Sequence, residues 1–264
     1  MTDTPALEQA LLALDGHVAT ITLNRPDQRN PLSIVMLRDL VAAFRWCQAE
    51  DDVRVVVLTG AGDRAFSAGA DLTSFEAGMP EAERHKQRRV FVDLFLLMQQ
   101  VGKPIVGRIN GHALAGGLGL AGSCDMLVAV DTATFGTPEI NVGVWPMMIS
   151  AVLARNIPRK VLLEMMMLGE RWTATQMQSI GFVNRVATRE LLDATVLDIT
   201  DKLAKKSPIV LRLGRASFYR QQDMDFASGL EYLYDELLKI ATTEDAKEGV
   251  LAFFEKREPD FKGR

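Results

Sequence analysis

Residues 53–58, Val-Arg-Val-Val-Val-Leu, carry no charge after Arg54 and no alternation of polar with apolar side chains. Such a run suits a strand covered on both faces, the usual condition of a parallel sheet with other layers packed on it. Val18–Leu23, Pro104–Ile109 and Met126–Val130 supply three more strand candidates. Between the first two strands, Leu32, Val35, Met36, Leu40, Ala43 and Phe44 recur at helical spacing after Asn30 and Pro31, which predicts a helix starting there. Val90, Phe91, Leu94, Phe95 and Met98 mark the apolar face of a second helix. Parallel neighbours cannot be joined by a tight turn, so strands alternating with helices of this length predict an α/β fold with a mostly parallel sheet over the first two thirds.

After Trp145 the pattern turns helical: residues 149–168, 174–180, 190–206, 209–220 and 225–240 favour helix, and only 182–186 is strand-like. A last helix is expected from Thr242, with Asp245 three residues on as a capping-box-like start, to Arg257. The expected division is an α/β core over 1–197 and a helical region over 198–264. At 264 residues, without repeats or a low-complexity linker, the chain has ample length for one sizeable core.

Composition narrows the functions. A net charge of -4 argues against an electrostatic nucleic-acid binder, which needs a basic face for phosphates. Cys47 and Cys124 lie far apart with no CxxC pair, so no disulfide framework or zinc site is indicated and a reducing compartment is expected. The amino terminus carries acids where a targeting signal carries Arg or Lys, and no apolar run approaches the ~20 residues of a membrane span. A cytoplasmic protein with neither membrane nor nucleic-acid partner is expected.

Two weak motifs fail on context. Gly60-Ala61-Gly62 with Ala65 matches a loose dinucleotide fingerprint, but the residues that follow continue as loop instead of opening a helix. Ser67 in Ala65–Gly69 nearly matches a nucleophile elbow, yet the preceding strand ends too early for the sharp turn that elbow needs. More informative are Gly69-Ala70-Asp71 and Ala115-Gly116-Gly117, small-residue segments just after buried strands. Such segments let backbone N–H groups approach a ligand, and a helix opening at the second adds partial positive charge. The same pattern serves tight packing of a turn against a sheet. Glu139 follows Thr137 and Pro138, which reads equally as an ordinary helix start and as an acid held at a site.

Asn24-Arg25-Pro26 with Asn30-Pro31-Leu32, Ala65–Leu72, Asn110–Gly117, Cys124-Asp125, Phe135–Glu139, Gly181-Phe182-Val183, Glu244–Gly249 and Phe254–Arg257 form an ordered set that resembles the crotonase family of enoyl-CoA hydratases and isomerases nearly end to end. The resemblance implies a repeated ββα core with a helical oligomerisation region that covers the active site. It also implies a homo-trimer or hexamer, an acyl-CoA thioester as substrate, and no cofactor beyond the coenzyme A that the substrate carries. It assigns Ala70 and Gly116 as two oxyanion-hole amides and Glu139 as the catalytic carboxylate. It also places Ala68, Gly69, Asp71, Leu72 and Gly117 near the bound thioester and its adenine end, with Arg29, Arg64 or Lys256 as candidates for the phosphates.

Two departures shape the expectation. Family hydratases carry a second glutamate shortly after the Gly triplet, where this chain has Gly119, and a Gly-rich stretch where this chain has Val144-Trp145-Pro146-Met147-Met148. Trp145 and Met147 are therefore expected to shape a drier acyl pocket that raises the pKa of Glu139. A single carboxylate favours double-bond isomerisation; hydration by the same glutamate is the alternative, and an acyl-CoA binder without catalysis a third reading.

Overall fold

The computed structural model describes residues 3–71 and 81–264, apart from the side chains of 81–88. Strand β3 (Val55–Gly60) is buried along its whole length, as its unbroken apolar run demands. It lies inside a six-stranded sheet in the order β1 (Ala10–Asp15), β2 (Val18–Leu23), β3, β5 (Ile105–Ile109), β7 (Met126–Val130), β10 (Arg185–Ala187). Only β1 runs antiparallel to its neighbour; the other pairs are parallel. A second sheet holds four short strands in the order β4 (Ala65–Ser67), β6 (His112–Leu114), β8 (Thr134–Gly136), β9 (Arg171–Thr173), with β9 antiparallel.

The two sheets share one connectivity. Each of β3, β5 and β7 is followed by a short strand of the second sheet and then by helix: α2 (Glu81–Gln100), α3 (Gly116–Gly122), and a 3-10 turn at Pro138–Val142 leading to α4 (Met147–Leu153). The fold is thus a repeated ββα core with mostly parallel sheets. Helix α1 (Ile34–Ala49) lies against α2, β1 and β2. The helical third contains α5 (Arg159–Leu168), α6 (Ala174–Ser179), α7 (Leu192–Ala204), α8 (Pro208–Gln221), α9 (Phe226–Thr242) and α10 (Glu244–Glu255). No described helix is long and apolar enough to cross a membrane.

Several boundaries differ from the expectation for local reasons. Helix α1 begins after Ser33, whose Oγ accepts from Met36 N at 3.1 Å, because Asn30 is left-handed at φ 51° and cannot open a helix. The helix expected over 149–168 breaks before Pro158, which lacks an N–H and extends the backbone into the cap of α5. Helix α10 is capped by Thr243, not Thr242, through an Ala246 N–H donated to Thr243 Oγ1 at 3.1 Å. Asp245 is buried and accepts from Ser207 Oγ at 2.6 Å and Lys262 N at 2.8 Å, tying α10, the start of α8 and the carboxy-terminal tail together. A division between residues 197 and 198 would cut α7, which packs on β3, β5, β7 and β10.

Helix α8 is fastened to the α/β layer by a largely buried ion pair. Arg215 Nε lies 2.8 Å from Asp125 Oδ2, with side chains 8% and 17% exposed. Arg215 also donates to the carbonyls of Gln99 at 2.7 Å and Met98 at 2.8 Å. Tyr219 donates to Asp125 Oδ1 at 2.7 Å, and Asp125 further accepts from Ile105 N. Removing one partner of such a pair strands the other charge away from water. Arg215→Ala is therefore expected to destabilise the protein by about 3–5 kcal/mol in chemical denaturation.

Candidate active site

Parallel strands β4, β6 and β8 lie side by side. Each is followed within three residues by a position singled out in the sequence: Ala70 after β4, Gly116 after β6 and Glu139 after β8.

The first of these segments is held by backbone bonds on one side. Ala68 N donates to Arg29 O at 2.9 Å, Leu32 N to Gly69 O at 2.8 Å and Asp71 N to Leu32 O at 3.3 Å. Ser67 is fully buried, donates its hydroxyl to Asn30 O at 2.8 Å and accepts from Gly69 N at 3.2 Å, so it serves the turn and has no role as a nucleophile. Asp71, expected near the bound thioester, pairs with Arg25 Nη1 at 2.9 Å and so anchors this loop. Two buried asparagines of the motifs, Asn30 and Asn110, also do structural duty, since both donate to Ala65 O. Leu72 lies outside the described residues.

The second segment approaches the first so closely that side chains are excluded. A Cβ on Gly69, whose φ is +95°, would lie 2.6 Å from Ala115 Cβ and 3.0 Å from Gly116 N. One on Gly117 would lie 2.5 Å from Ser67 O. Ala115 takes φ 50° and ψ -128°, a conformation that costs an L-residue about 1–3 kcal/mol. Its N–H donates to Gly136 O at 2.9 Å, which links this turn to the strand preceding Glu139. Among the described residues, neither Ala70 N–H nor Gly116 N–H has an acceptor in the protein. Two unspent donors at adjacent turns are suited to an oxygen that gains negative charge.

Glu139 stands in the first turn of the 3-10 segment, but Thr137 does not cap it: the Thr137 hydroxyl donates to Met165 O at 3.0 Å instead. Glu139 Oε2 is buried with no hydrogen-bond partner among the described residues. Desolvation raises the Glu139 pKa above its ordinary 4.5, against a smaller opposing hydrogen bond from its own backbone N–H.

The other expected contacts are dispersed. Trp145 is half-buried against the core, whereas Met147 is 72% exposed and does not line a closed pocket in this chain. Arg29 and Lys256 are exposed and left-handed, Lys256 at the end of α10. A cavity of about 840 Å³ between α2, α4 and α8, lined by Phe95, Met148, Val152 and Phe218 among others, includes none of Ala70, Gly116 or Glu139. At Gly119 a Cβ would strike Ile149 Cγ2 at 2.2 Å and Ile149 Cβ at 2.7 Å. Ile149 therefore fills the room beside that position, a relation between separate helices that no sequence spacing signals.

Solved structures of enoyl-CoA hydratases share this fold. An enoyl-CoA hydratase from Mycobacterium smegmatis superposes with TM-score 0.92 at 34% identity, covering 96% of this chain and 99% of that one. The chain belongs to the enoyl-CoA hydratase/isomerase family, whose model matches residues 14–264. It is 33% identical to the 2,3-dehydroadipyl-CoA hydratase of Escherichia coli over 98% of this chain and 100% of that protein. It is 30% identical to the short-chain-enoyl-CoA hydratase of Clostridium acetobutylicum over 98% and 99%. The protein is accordingly an enzyme of CoA thioesters, of the hydro-lyase or isomerase type.

A carboxyl whose folded pKa is raised favours the protonated folded state, so its contribution to stability falls as pH rises from below 4.5 through the folded value, and the loss persists at neutral pH. Glu139→Gln removes that loss. The variant is expected to melt higher than wild type at pH 7, with the difference shrinking towards pH 4 in parallel thermal scans.

Proposed function

We propose that the protein shifts the double bond of an enoyl-CoA with Glu139 as its single proton-carrying carboxylate and the amides of Ala70 and Gly116 as an oxyanion hole. The carboxylate removes a proton from C2 of a 3-enoyl thioester, and the C–H electron pair delocalises onto the thioester oxygen, where the two N–H groups stabilise it. The same proton is then delivered from Glu139 to C4, and the charge collapses into a C2=C3 bond. Atoms and charge balance without water or any other reactant. The raised pKa of Glu139 suits this double duty, because a carboxyl that both takes and returns a proton works best when its pKa is moved towards the working pH. The observation that carries the reading is Gly119 with Ile149 packed against it, which leaves no side chain at that position to bind or activate a water.

Hydration is the second reading, favoured by the names of relatives such as the 2,3-dehydroadipyl-CoA and short-chain-enoyl-CoA hydratases. The two are separated by turnover of 2-enoyl-CoA and 3-enoyl-CoA in heavy-oxygen water, followed by mass spectrometry. A double-bond shift without label is expected, lost by about 100-fold or more in Glu139→Gln while CoA-thioester affinity is kept. Label that depends on Glu139 would establish hydration, and turnover unchanged in the variant would remove Glu139 from the mechanism.

The helical third supports assembly into trimers or trimer pairs. Phe226, Phe253 and Phe254 are 83%, 79% and 76% exposed on α9 and α10, more large apolar surface than a monomer ordinarily leaves in water. Light scattering at micromolar concentration is expected to give a mass of three or six chains; a monomer would contradict this assembly.

A further inference from the structure

Helix α3 carries one glycine face forward from the paired amides. A Cβ on Gly116 would lie 3.5 Å from Ala70 N and 3.5 Å from Phe91 Cε1. Gly119, one turn further, shares that face. There the neighbours are Ile149 and, at 3.4 Å, the ring tip of Phe95, which stands one turn beyond Phe91 on α2. The amide pair is thus followed along α3 by an apolar wall of Ile149 and Phe95.

Ile149 cannot step aside. It is 5% exposed on α4, and the Cβ that would sit 2.7 Å from a side chain at 119 is placed by the backbone, so no rotamer change moves it. The branched side chain also has one strongly preferred rotamer in a helix, which holds Cγ2 in the same space. A larger residue at 119 therefore needs either a displaced α4 or the loss of the Ile149 side chain.

We propose that Ile149 is a specificity-determining residue: it occupies the volume that a second carboxylate and the water it binds would need, and so commits the intermediate to reprotonation by Glu139. The proposal rests on the double-bond-shift reading and names the residue that enforces it. It makes residues 119 and 149 a coupled pair, with Gly119 and Ile149 as one permitted combination and a larger residue at 119 compatible only with a residue lacking Cβ at 149.

The test compares wild type, Gly119→Glu, Ile149→Gly and the double variant. In thermal unfolding Gly119→Glu is expected to lower the midpoint by about 5 °C or more, and adding Ile149→Gly is expected to recover part of that loss although it destabilises alone. If the double variant does not fold, Gly119→Ala with and without Ile149→Gly gives the same comparison. Additive losses would show that the two positions do not compete for space and would overturn the proposal. In heavy-oxygen water the folded double variant is expected to raise label incorporation relative to the double-bond shift by about 10-fold or more over wild type. No gain would overturn the role of Ile149 and leave the double-bond-shift reading standing. Label in the wild-type product at a rate matching the shift would overturn that reading, and this proposal with it.

Discussion

The contact between Gly69 and Ala115 sets the geometry of everything nearby. A Cβ on Gly69 would come within 2.6 Å of Ala115 Cβ, and that proximity is possible because one residue has no side chain and the other accepts a positive φ. Positive-φ alanine is unfavourable in isolation and persists where its surroundings over-determine it. Here Ala115 is tied to β8 through Gly136 O, Gly117 is seated on the carbonyl of Ser67, and Ser67 itself is bonded to Asn30. The close approach leaves the Ala70 and Gly116 amides without acceptors among the described residues, and a backbone donor held in that way needs no reorganisation when charge appears beside it.

Glu139 obeys the opposite logic. The two amides are held in place by hydrogen bonds of their neighbours, whereas the carboxylate has an oxygen buried without a partner among the described residues, a state that ordinary packing avoids. The Thr137 hydroxyl, which might have capped the turn, is committed to Met165 O. A buried acid whose pKa desolvation raises is a candidate functional group on physical grounds.

What the sequence made legible follows element length. Strands β2 and β7 agree with their expected bounds because five or six residues suffice to show an apolar run. Strands β4, β6, β8 and β9 are three residues each, too short for any period, and their existence depends on pairing partners far along the chain. Strand β1 lies in a stretch of small and apolar residues that continues onto its exposed outer face, Leu11 and Ala13, and so blurs the alternation. Pro158 and Ser33 are local signals of a break and a cap that the apolar spacing around them masks. The glycines at 69, 116 and 117 pointed to a close approach, but the same residues fit plain turn packing, and only the family likeness favoured one reading. Ile149 was invisible as a neighbour of Gly119, since the two meet through the docking of α4 on α3.

Ala70, Gly116 and Glu139 each follow the short strand of a different ββα repeat. The three repeats have the same connectivity yet deliver unlike groups: a loop amide, a helix-opening amide and a carboxylate. No single repeat, folded alone, holds more than one of them. The three positions are brought together by the parallel pairing of β4 with β6 and of β6 with β8, contacts between segments distant in sequence and therefore slow to form. A chain that has formed only its helices and local strands would hold the two amides and the carboxylate apart, so the proposed chemistry depends on closure of the second sheet.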